Sequence, residues 1–318
     1  MAAGTTTASS GESATGRFSF VRVRVEEGRS DGAYKLQIPM TGSLQNPAWS
    51  PEGNELLLTR FRNGYNEGPA DLVVFDLEDE SARLLVADGS DNVNLPGASW
   101  NPVTRQVVFS SAREPHDEIF LIAENGVPGD EIQLTSRPGH MAYEPSLSPG
   151  GERVVFESHV LDVETNGIIT SYKVDGSGAY EPLTGASDDC RQPNWSPAGA
   201  YIVYQRWVGG QWDLWRIATN GTSPLKLTSG AGDKTDASFS PNGQWIIYSS
   251  DHGVLAGANL YGLNATGGPP QRVTFFGGYD GAPSWSPDGQ RIAFESYPGT
   301  DPDGSTGTAI WVISAPIF

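Results

Sequence analysis

The sequence contains one cysteine, Cys190, so no disulfide can form within the chain. Charged residues make up only 18% of the chain, against roughly 25% in an average soluble domain. No apolar run approaches the ~18 residues that a membrane-spanning helix needs, so we expect no membrane insertion. Turn-forming and aromatic residues are abundant instead, with 39 Gly, 23 Pro and 10% aromatic residues. This composition is typical of many short strands joined by turns.

Basic side chains are also scarce, because 20 Lys and Arg stand against 38 Asp and Glu. The resulting net charge of -18 repels phosphate backbones, so we expect no nucleic-acid binding. The acidity has two interpretations. It provides a well-solvated surface, or it forms a face that attracts Ca²⁺ or a basic partner.

Two catalytic signatures are missing from the sequence. The Gly-x-Ser-x-Gly turn of α/β-hydrolases does not occur, and no Cys/His spacing fits a zinc site. Cys190 follows Asp188 and Asp189, whose negative charges would raise the pKa of a thiol rather than activate it. We therefore predict a structural role for Cys190.

The dominant feature of the sequence is a pattern of about 15 residues that recurs six times, as in APSWSPDGQRIAFES. The copies lie at 46–61, 97–112, 144–158, 192–207, 236–250 and 282–296. Each has an apolar anchor residue, and these are Trp49, Trp100, Leu147, Trp195, Phe239 and Trp285. Successive anchors are 44 to 51 residues apart, which identifies the chain as a repeat protein.

Each copy predicts two strands joined by a tight turn. The anchor ends the first strand, and in Ser-Pro-x-Gly the Pro presets φ while the Gly supplies a positive φ. The second copy keeps Pro102 but has Thr104 in place of the Gly. A β-branched and aromatic strand follows, and most units then contain two further strands. Four strands per repeat form one blade of a β-propeller.

The predicted fold class is therefore all-β, a six-bladed β-propeller with four-stranded blades. We expect a disordered tail over 1–16 and a single propeller domain over 17–318. The last copy is followed by only one strand candidate, and 33–42 resembles the outer strands of the other units. An N-terminal strand should thus complete the last blade and close the ring. The segment 18–25 is also strand-like, but the pattern does not assign it to a blade.

The W-S-P-D-G…I-A-F pattern with a following L-T strand resembles the repeat of the TolB-like six-bladed propeller family. The resemblance covers roughly residues 33–315. It implies a module that binds partner proteins at an extracytoplasmic, periplasmic or secreted location. The same fold family includes oligogalacturonate lyases, so the resemblance also implies an enzymatic alternative with a histidine-rich metal site.

The topology of a propeller predicts which residues lie at the mouth of its central channel. Residues three before each anchor and ten after each anchor should share one face, and the Ser-Pro-x-Gly turns should lie on the other. From this register we predict the ligand-binding candidates Arg60, Glu144, Gln192, Gln205, Arg206, Trp207, Asp236, Asp251 and Glu295. Arginine forks would suit carboxylates, and Trp207 could stack on a sugar ring.

A divalent cation, either calcium or a transition metal, is the only cofactor that the residues suggest. His140, His159 and His252 fall in loops of the mouth face, and imidazole together with glutamine carboxamide suits a transition metal. Asp301 and Asp303 precede Gly304 as in the start of a Ca²⁺ loop, although the distal glutamate of such loops is missing.

Three hypotheses for function remain open. The first is a non-catalytic, monomeric binding module that presents its channel mouth to a protein or peptide partner. The second is a metal-assisted lyase or hydrolase that acts on acidic (uronate) oligosaccharides. The third is a purely structural propeller. Convergence of His140, His159 and His252 on one point would favour the enzyme.

Overall fold

A computed structural model describes residues 28–90, 92–94, 100–113, 116–163, 165–251, 257–300 and 306–316. These residues form strands, turns and loops without a helix, and the strands assemble into six sheets. The six-bladed all-β propeller predicted from the repeats is therefore confirmed. None of the described elements is a helix long and apolar enough to cross a membrane. The expected tail over 1–16 and the segment 18–25 lie outside the described residues.

Strands of the first three blades follow the chain in order from the channel outward. Blade 1 contains β2 (Ser43–Trp49), β3 (Glu55–Phe61), β4 (Ala70–Asp76) and β5 (Ser81–Val86). Blade 2 contains β6 (Val93–Asn94), β7 (Trp100–Asn101), β8 (Gln106–Ser111), β9 (Glu118–Ala123) and β10 (Ile132–Gln133), with β6 and β7 both paired to β8. Blade 3 contains β11 (His140–Leu147), β12 (Arg153–Val160), β13 (Ile168–Lys173) and β14 (Glu181–Pro182).

Two of the remaining three blades repeat this order. Blade 4 contains β15 (Cys190–Trp195), β16 (Tyr201–Val208), β17 (Gln211–Ala218) and β18 (Leu225–Lys226). Blade 5 contains β19 (Lys234–Phe239), β20 (Trp245–Ser250), β21 (Asn259–Asn264) and β22 (Gln271–Arg272). Blade 6 contains β23 (Tyr279–Trp285), β24 (Arg291–Thr300), β25 (Thr306–Ser314) and, as its outer strand, β1 (Tyr34–Lys35).

The turn after each anchor has the predicted chemistry in five blades. Its glycine has a φ of 68° to 81° and donates its N–H to the serine carbonyl three residues earlier, as Gly199 does to Ser196 at 2.8 Å. Blade 2 differs because Thr104 is β-branched and disfavours the left-handed region. There the positive φ of 56° moves to Arg105, and the Asn101 side chain accepts the N–H groups of Val103 and Thr104 at 2.8 and 2.9 Å.

The apolar core lies between the blades. Among the described residues, buried apolar side chains form six clusters, and each cluster joins two neighbouring blades. Trp195, for example, packs with Val155 and Ile169 of blade 3 as well as Tyr204 of its own blade. A blade therefore cannot bury its faces alone, and the ring must close to complete the core.

An N-terminal strand closes the ring, as predicted from the sequence. Tyr34 pairs with Val312 and Lys35 with Trp311 in an antiparallel register. Arg29 fixes the chain that leads into this strand. Its guanidinium donates to both carboxylate oxygens of the fully buried Asp280 at 2.7 and 2.8 Å, and also pairs with Asp31 at 2.6 Å. The Arg29 guanidinium lies 4.3 Å from the ring centroid of Phe276.

We predict that Arg29→Ala destabilises the closed ring. The substitution leaves the buried Asp280 carboxylate without its charged partner, which typically costs about 3–5 kcal/mol. Urea unfolding followed by tryptophan fluorescence measures this loss. Arg153→Ala is the control, because Arg153 pairs with the exposed Glu181 and should cause a much smaller loss. Equal losses in the two variants would contradict the role given to Arg29.

Candidate functional site

A bulge occurs at the same place in the innermost strand of five blades, three residues before the anchor. Each bulge residue has a left-handed φ between 45° and 56°, and these residues are Asn46, Glu144, Gln192, Asp236 and Ala282. The strand register shifts at each of these positions. A bulge residue cannot use its N–H in the strand ladder. Each blade therefore has a backbone donor at the channel that needs another acceptor.

Neighbouring blades supply these acceptors around the channel. The Gln192 N–H donates to Glu157 Oε2 of blade 3, and the Asp236 N–H donates to Gln192 Oε1 of blade 4, both at 3.0 Å. The Ala282 N–H in turn donates to the Asp236 carboxylate.

Ala282 has no polar side chain to continue this series into blade 1. Glu295 of blade 6 acts instead, and its Oε2 accepts the Asn46 N–H at 3.0 Å. We call this series of hydrogen bonds the bulge-amide relay.

The bulge residues surround a cavity of about 440 Å³ at one end of the channel, which we call the mouth cavity. Of the candidates predicted from the register, four line it, namely Glu144, Gln192, Asp236 and Glu295. The rest of its wall consists of Gln45, Asn46, Phe61, Tyr65, Asn66, Asn92, Tyr279 and Ala282. An adjoining cavity of about 540 Å³ shares Tyr65 and Tyr279 with it and is also lined by Asn63, Gly64, Glu67 and Tyr297.

Two carboxyl groups in the mouth cavity have raised pKa values. Burial raises the pKa of Glu295 to about 8, and the nearby Asp236 carboxyl raises it further, whereas hydrogen bonds from the Asn46 N–H and Tyr279 lower it. Burial also raises the pKa of Asp236, against hydrogen bonds from Thr235, Gln192 and the Ala282 N–H. Glu295 is therefore largely protonated at neutral pH. Perturbed carboxyl groups in a cavity are typical of functional sites.

The tyrosines of the mouth were not among the candidates predicted from the sequence. Tyr279 hydrogen-bonds Glu295 and Tyr65, and burial together with the Glu295 charge raises the pKa of Tyr279 well above its usual value. Tyr65 and Tyr297 stand beside each other, with ring centroids 6.1 Å apart. Gly281 makes room for this arrangement, because a Cβ there would lie 1.9 Å from the Tyr279 hydroxyl. The Gly281 position and the insertion around Tyr65 were the available sequence signals.

The two candidate arginines lie in ion pairs outside the mouth cavity. Arg60 lies 3.5 Å from the buried Asp71, which also pairs with Arg62, and donates to the Thr41 carbonyl. Arg206 pairs with Asp188 at 2.6 Å and stacks 4.9 Å from the Trp215 ring centroid. Their forks already have carboxylate partners within the chain, so the expected arginine site for an acidic ligand is not formed by them.

The other candidates of the mouth face are also separate from the cavity. Gln205 is buried, and its Oε1 has no hydrogen-bond partner in the described structure. Asp251 accepts the Asp233 N–H at 3.2 Å. Trp207 packs edge-on against Trp212 and is 45% exposed. Cys190 is buried, and burial raises its pKa to about 12, which agrees with a structural role.

The described histidines do not converge. His159 is buried, and its Nε2 lies 3.3 Å from Glu157 Oε1. His140 precedes Met141, which is the strand partner of His159, so the two imidazoles lie on opposite faces of blade 3. Within the described ranges, no three His, Cys, Asp or Glu side chains are grouped to hold a metal. His252, Asp301 and Asp303 lie outside those ranges, so their metal-binding predictions remain untested.

The family model of the TolB β-propeller domain matches residues 23–227 and 176–302. The chain belongs to this family. A TolB-type relative of Francisella tularensis, a Tol-Pal system protein, is 31% identical over 236 residues, which cover 70% of this chain and 49% of the relative. An uncharacterized protein of Agrobacterium fabrum is 24% identical over 271 residues, covering 80% of this chain and 85% of its own length. This TolB-type propeller thus spans about half the length of the curated Tol-Pal relative.

Solved structures agree with the fold. TolB from Acinetobacter baumannii superposes with a TM-score of 0.60 at 16% identity, covering 88% of this chain and 65% of that one. Oligogalacturonate lyase from Vibrio parahaemolyticus gives a TM-score of 0.58 at 13% identity, covering 93% and 96%. At these identities the likeness extends to the architecture alone.

We predict that Glu295 makes stability fall with pH. Its folded pKa of about 8 lies above the ordinary value of 4.5, so the protonated carboxyl stabilises the fold fully below about pH 4.5. This contribution is lost as the pH rises through 8. Between these limits the melting temperature of the wild type should fall relative to that of Glu295→Gln, whose amide keeps an acceptor for Asn46.

The second variant, Glu295→Ala, separates charge from hydrogen bonding. It leaves the Asn46 N–H without its acceptor and should cost about 1–3 kcal/mol at every pH. Parallel melting curves for wild type and Glu295→Gln across the pH range would show that Glu295 titrates normally.

Proposed function

We propose that this TolB-type propeller is a binding module whose mouth face receives a protein partner. The observation that carries the proposal is the mouth cavity itself, a polar, carboxyl-lined recess on the propeller axis with tyrosines at its edge. Such concave sites with a few convergent polar groups are the usual places for ligands. The location implied by the resemblance, outside the cytoplasm, belongs to the same proposal.

Exposed apolar side chains on the mouth face support a macromolecular partner. By the strand order, hairpins between second and third strands and loops between blades reach this face. Its large exposed apolar residues include Tyr65, Val160, Leu161, Val163, Trp207, Val208, Phe275 and Tyr297. Aromatic side chains around a polar centre are typical of protein interfaces.

The Tol-Pal names of the relatives fit this proposal, since they belong to proteins of a multi-protein system. The enzymatic alternative has less support. Its described histidines are on opposite faces of one blade, and Arg60 and Arg206 are occupied by aspartates. A uronate would also have to enter a cavity lined by carboxyl groups.

Site-specific photo-crosslinking in the source cells tests the proposal. A benzophenone amino acid replaces Trp207 or Phe275, which are 45% and 60% exposed on the mouth face but do not line the cavity. We expect both positions to yield the same discrete protein adduct. The same residue at Val103, 67% exposed on the opposite face, is the matched control and should not yield that adduct.

Two outcomes would contradict the proposal. Adducts that appear equally from Val103 would indicate non-specific proximity. The absence of an adduct from either mouth-face position, with the variants folded and exported normally, would favour the purely structural propeller.

A further inference from the structure

The mouth cavity has an unusual charge balance. Together with the adjoining cavity, it is lined by four carboxyl groups, those of Glu67, Glu144, Asp236 and Glu295. Of the described residues in both walls, none is Lys, Arg or His. The nearest candidates for neutralisation, Arg60 and Arg206, are paired elsewhere. The folded chain therefore offers these carboxyl groups no cation of its own.

The acceptors of the mouth come from different blades and surround the axis. Asn46, Glu144, Gln192 and Asp236 occupy equivalent bulge positions of blades 1, 3, 4 and 5, and Glu295 belongs to blade 6. A carboxylate has about four lone-pair sites. Glu295 uses two known donors, the Asn46 N–H and the Tyr279 hydroxyl, so acceptor capacity remains.

The tyrosines provide a second attraction for a positive group. Tyr65 and Tyr297 are 42% and 38% exposed at the edge of the cavity, with an angle of 55° between their rings. The electron-rich faces of such rings attract ammonium groups. Tyr279 continues this wall inward to the hydrogen bond with Glu295. Aromatic edge, carboxyl centre and cavity volume are independent observations that favour the same kind of ligand.

We propose that the mouth cavity binds a primary ammonium group carried by the partner, a deepening that rests on the proposed function above. An ammonium is a compact charge with three donors in a tetrahedral arrangement, which suits acceptors arranged around an axis. A guanidinium is planar and pairs best with one carboxylate edge. The group comes from either a free chain N-terminus or a lysine side chain.

Binding of this group replaces protons at the mouth. In the free protein a proton on Glu295 reduces the negative charge, whereas an ammonium would stabilise the ionised carboxylate. Affinity for a permanently charged amine should therefore rise as the pH increases toward and past the Glu295 titration. The titratable neighbours in the wall are Asp236, Glu144, Glu67, Tyr65, Tyr279 and Tyr297.

Isothermal titration calorimetry with small probes tests the inference. Triglycine amide carries a free N-terminal amine, Nα-acetyl-lysinamide carries only a side-chain amine, and N-acetyl-triglycine amide carries neither. We expect one or both amines to bind about tenfold or more tightly than the acetylated probe, as charge-assisted hydrogen bonds imply. The tighter of the two identifies the source of the ammonium. The lysine probe stays charged over the pH series from about 6 to about 9.

Two variants locate the binding. Asp236→Asn removes a charge while keeping an acceptor for the Ala282 N–H, and should weaken amine binding about tenfold. Asp251→Asn is the matched control, because Asp251 lies on the same face but outside the cavity, and should leave binding unchanged. Gly281→Ala should also weaken binding, since its Cβ displaces the Tyr279 hydroxyl.

Three results would overturn the ammonium site. These are equal affinities for acetylated and free amines, equal losses in Asp236→Asn and Asp251→Asn, and no heat from any probe at about 10 mM. A response to calcium chloride without one to amines would assign the cavity to a metal instead. Partner adducts at Trp207 and Phe275 combined with any of these results would leave the proposed function intact and remove only this inference.

Discussion

The propeller depends on a backbone donor that no strand can pair. Each bulge at the channel end of an innermost strand leaves an N–H group without a ladder partner, and leaving it unsatisfied would cost about 1–3 kcal/mol. The next blade around the ring supplies the acceptor, through Glu157, Gln192, Asp236 or Glu295. Polar and acidic side chains therefore gather at the axis for a structural reason, and their gathering produces the cavity.

Structure and function are thus combined in the same side chains. Asp236 joins blades 5 and 6 and also lines the mouth cavity, while Glu295 joins blades 6 and 1 beside Tyr279. The crowding that satisfies the backbone also raises the pKa of both carboxyl groups. A site built in this way is rigid before any ligand arrives, because its geometry is fixed by hydrogen bonds between blades. Such preorganisation lowers the cost of ordering on binding.

The repeat pattern predicted the architecture because its period, turns and anchors are local signals. The same register led correctly to Glu144, Gln192, Asp236 and Glu295 as residues of one cavity. The aspartate partners of Arg60 and Arg206 could not be found in this way. Asp71 lies on the neighbouring strand and Asp188 in the loop before blade 4, and pairing across strands depends on register that composition does not reveal. Tyr65 and Tyr279 were missed because they lie outside the repeated 15 residues.

The central claim is that the mouth holds a carboxyl group that stays protonated until a cation arrives. Carbon-detected NMR of side-chain carboxyl groups, with Glu295→Gln used to assign the Glu295 resonance, measures this most directly. We predict that Glu295 titrates near 8 in the free protein and that its pKa falls when Nα-acetyl-lysinamide is added. A Glu295 resonance that titrates near the ordinary value of 4.5, unchanged by the amine, would contradict the account.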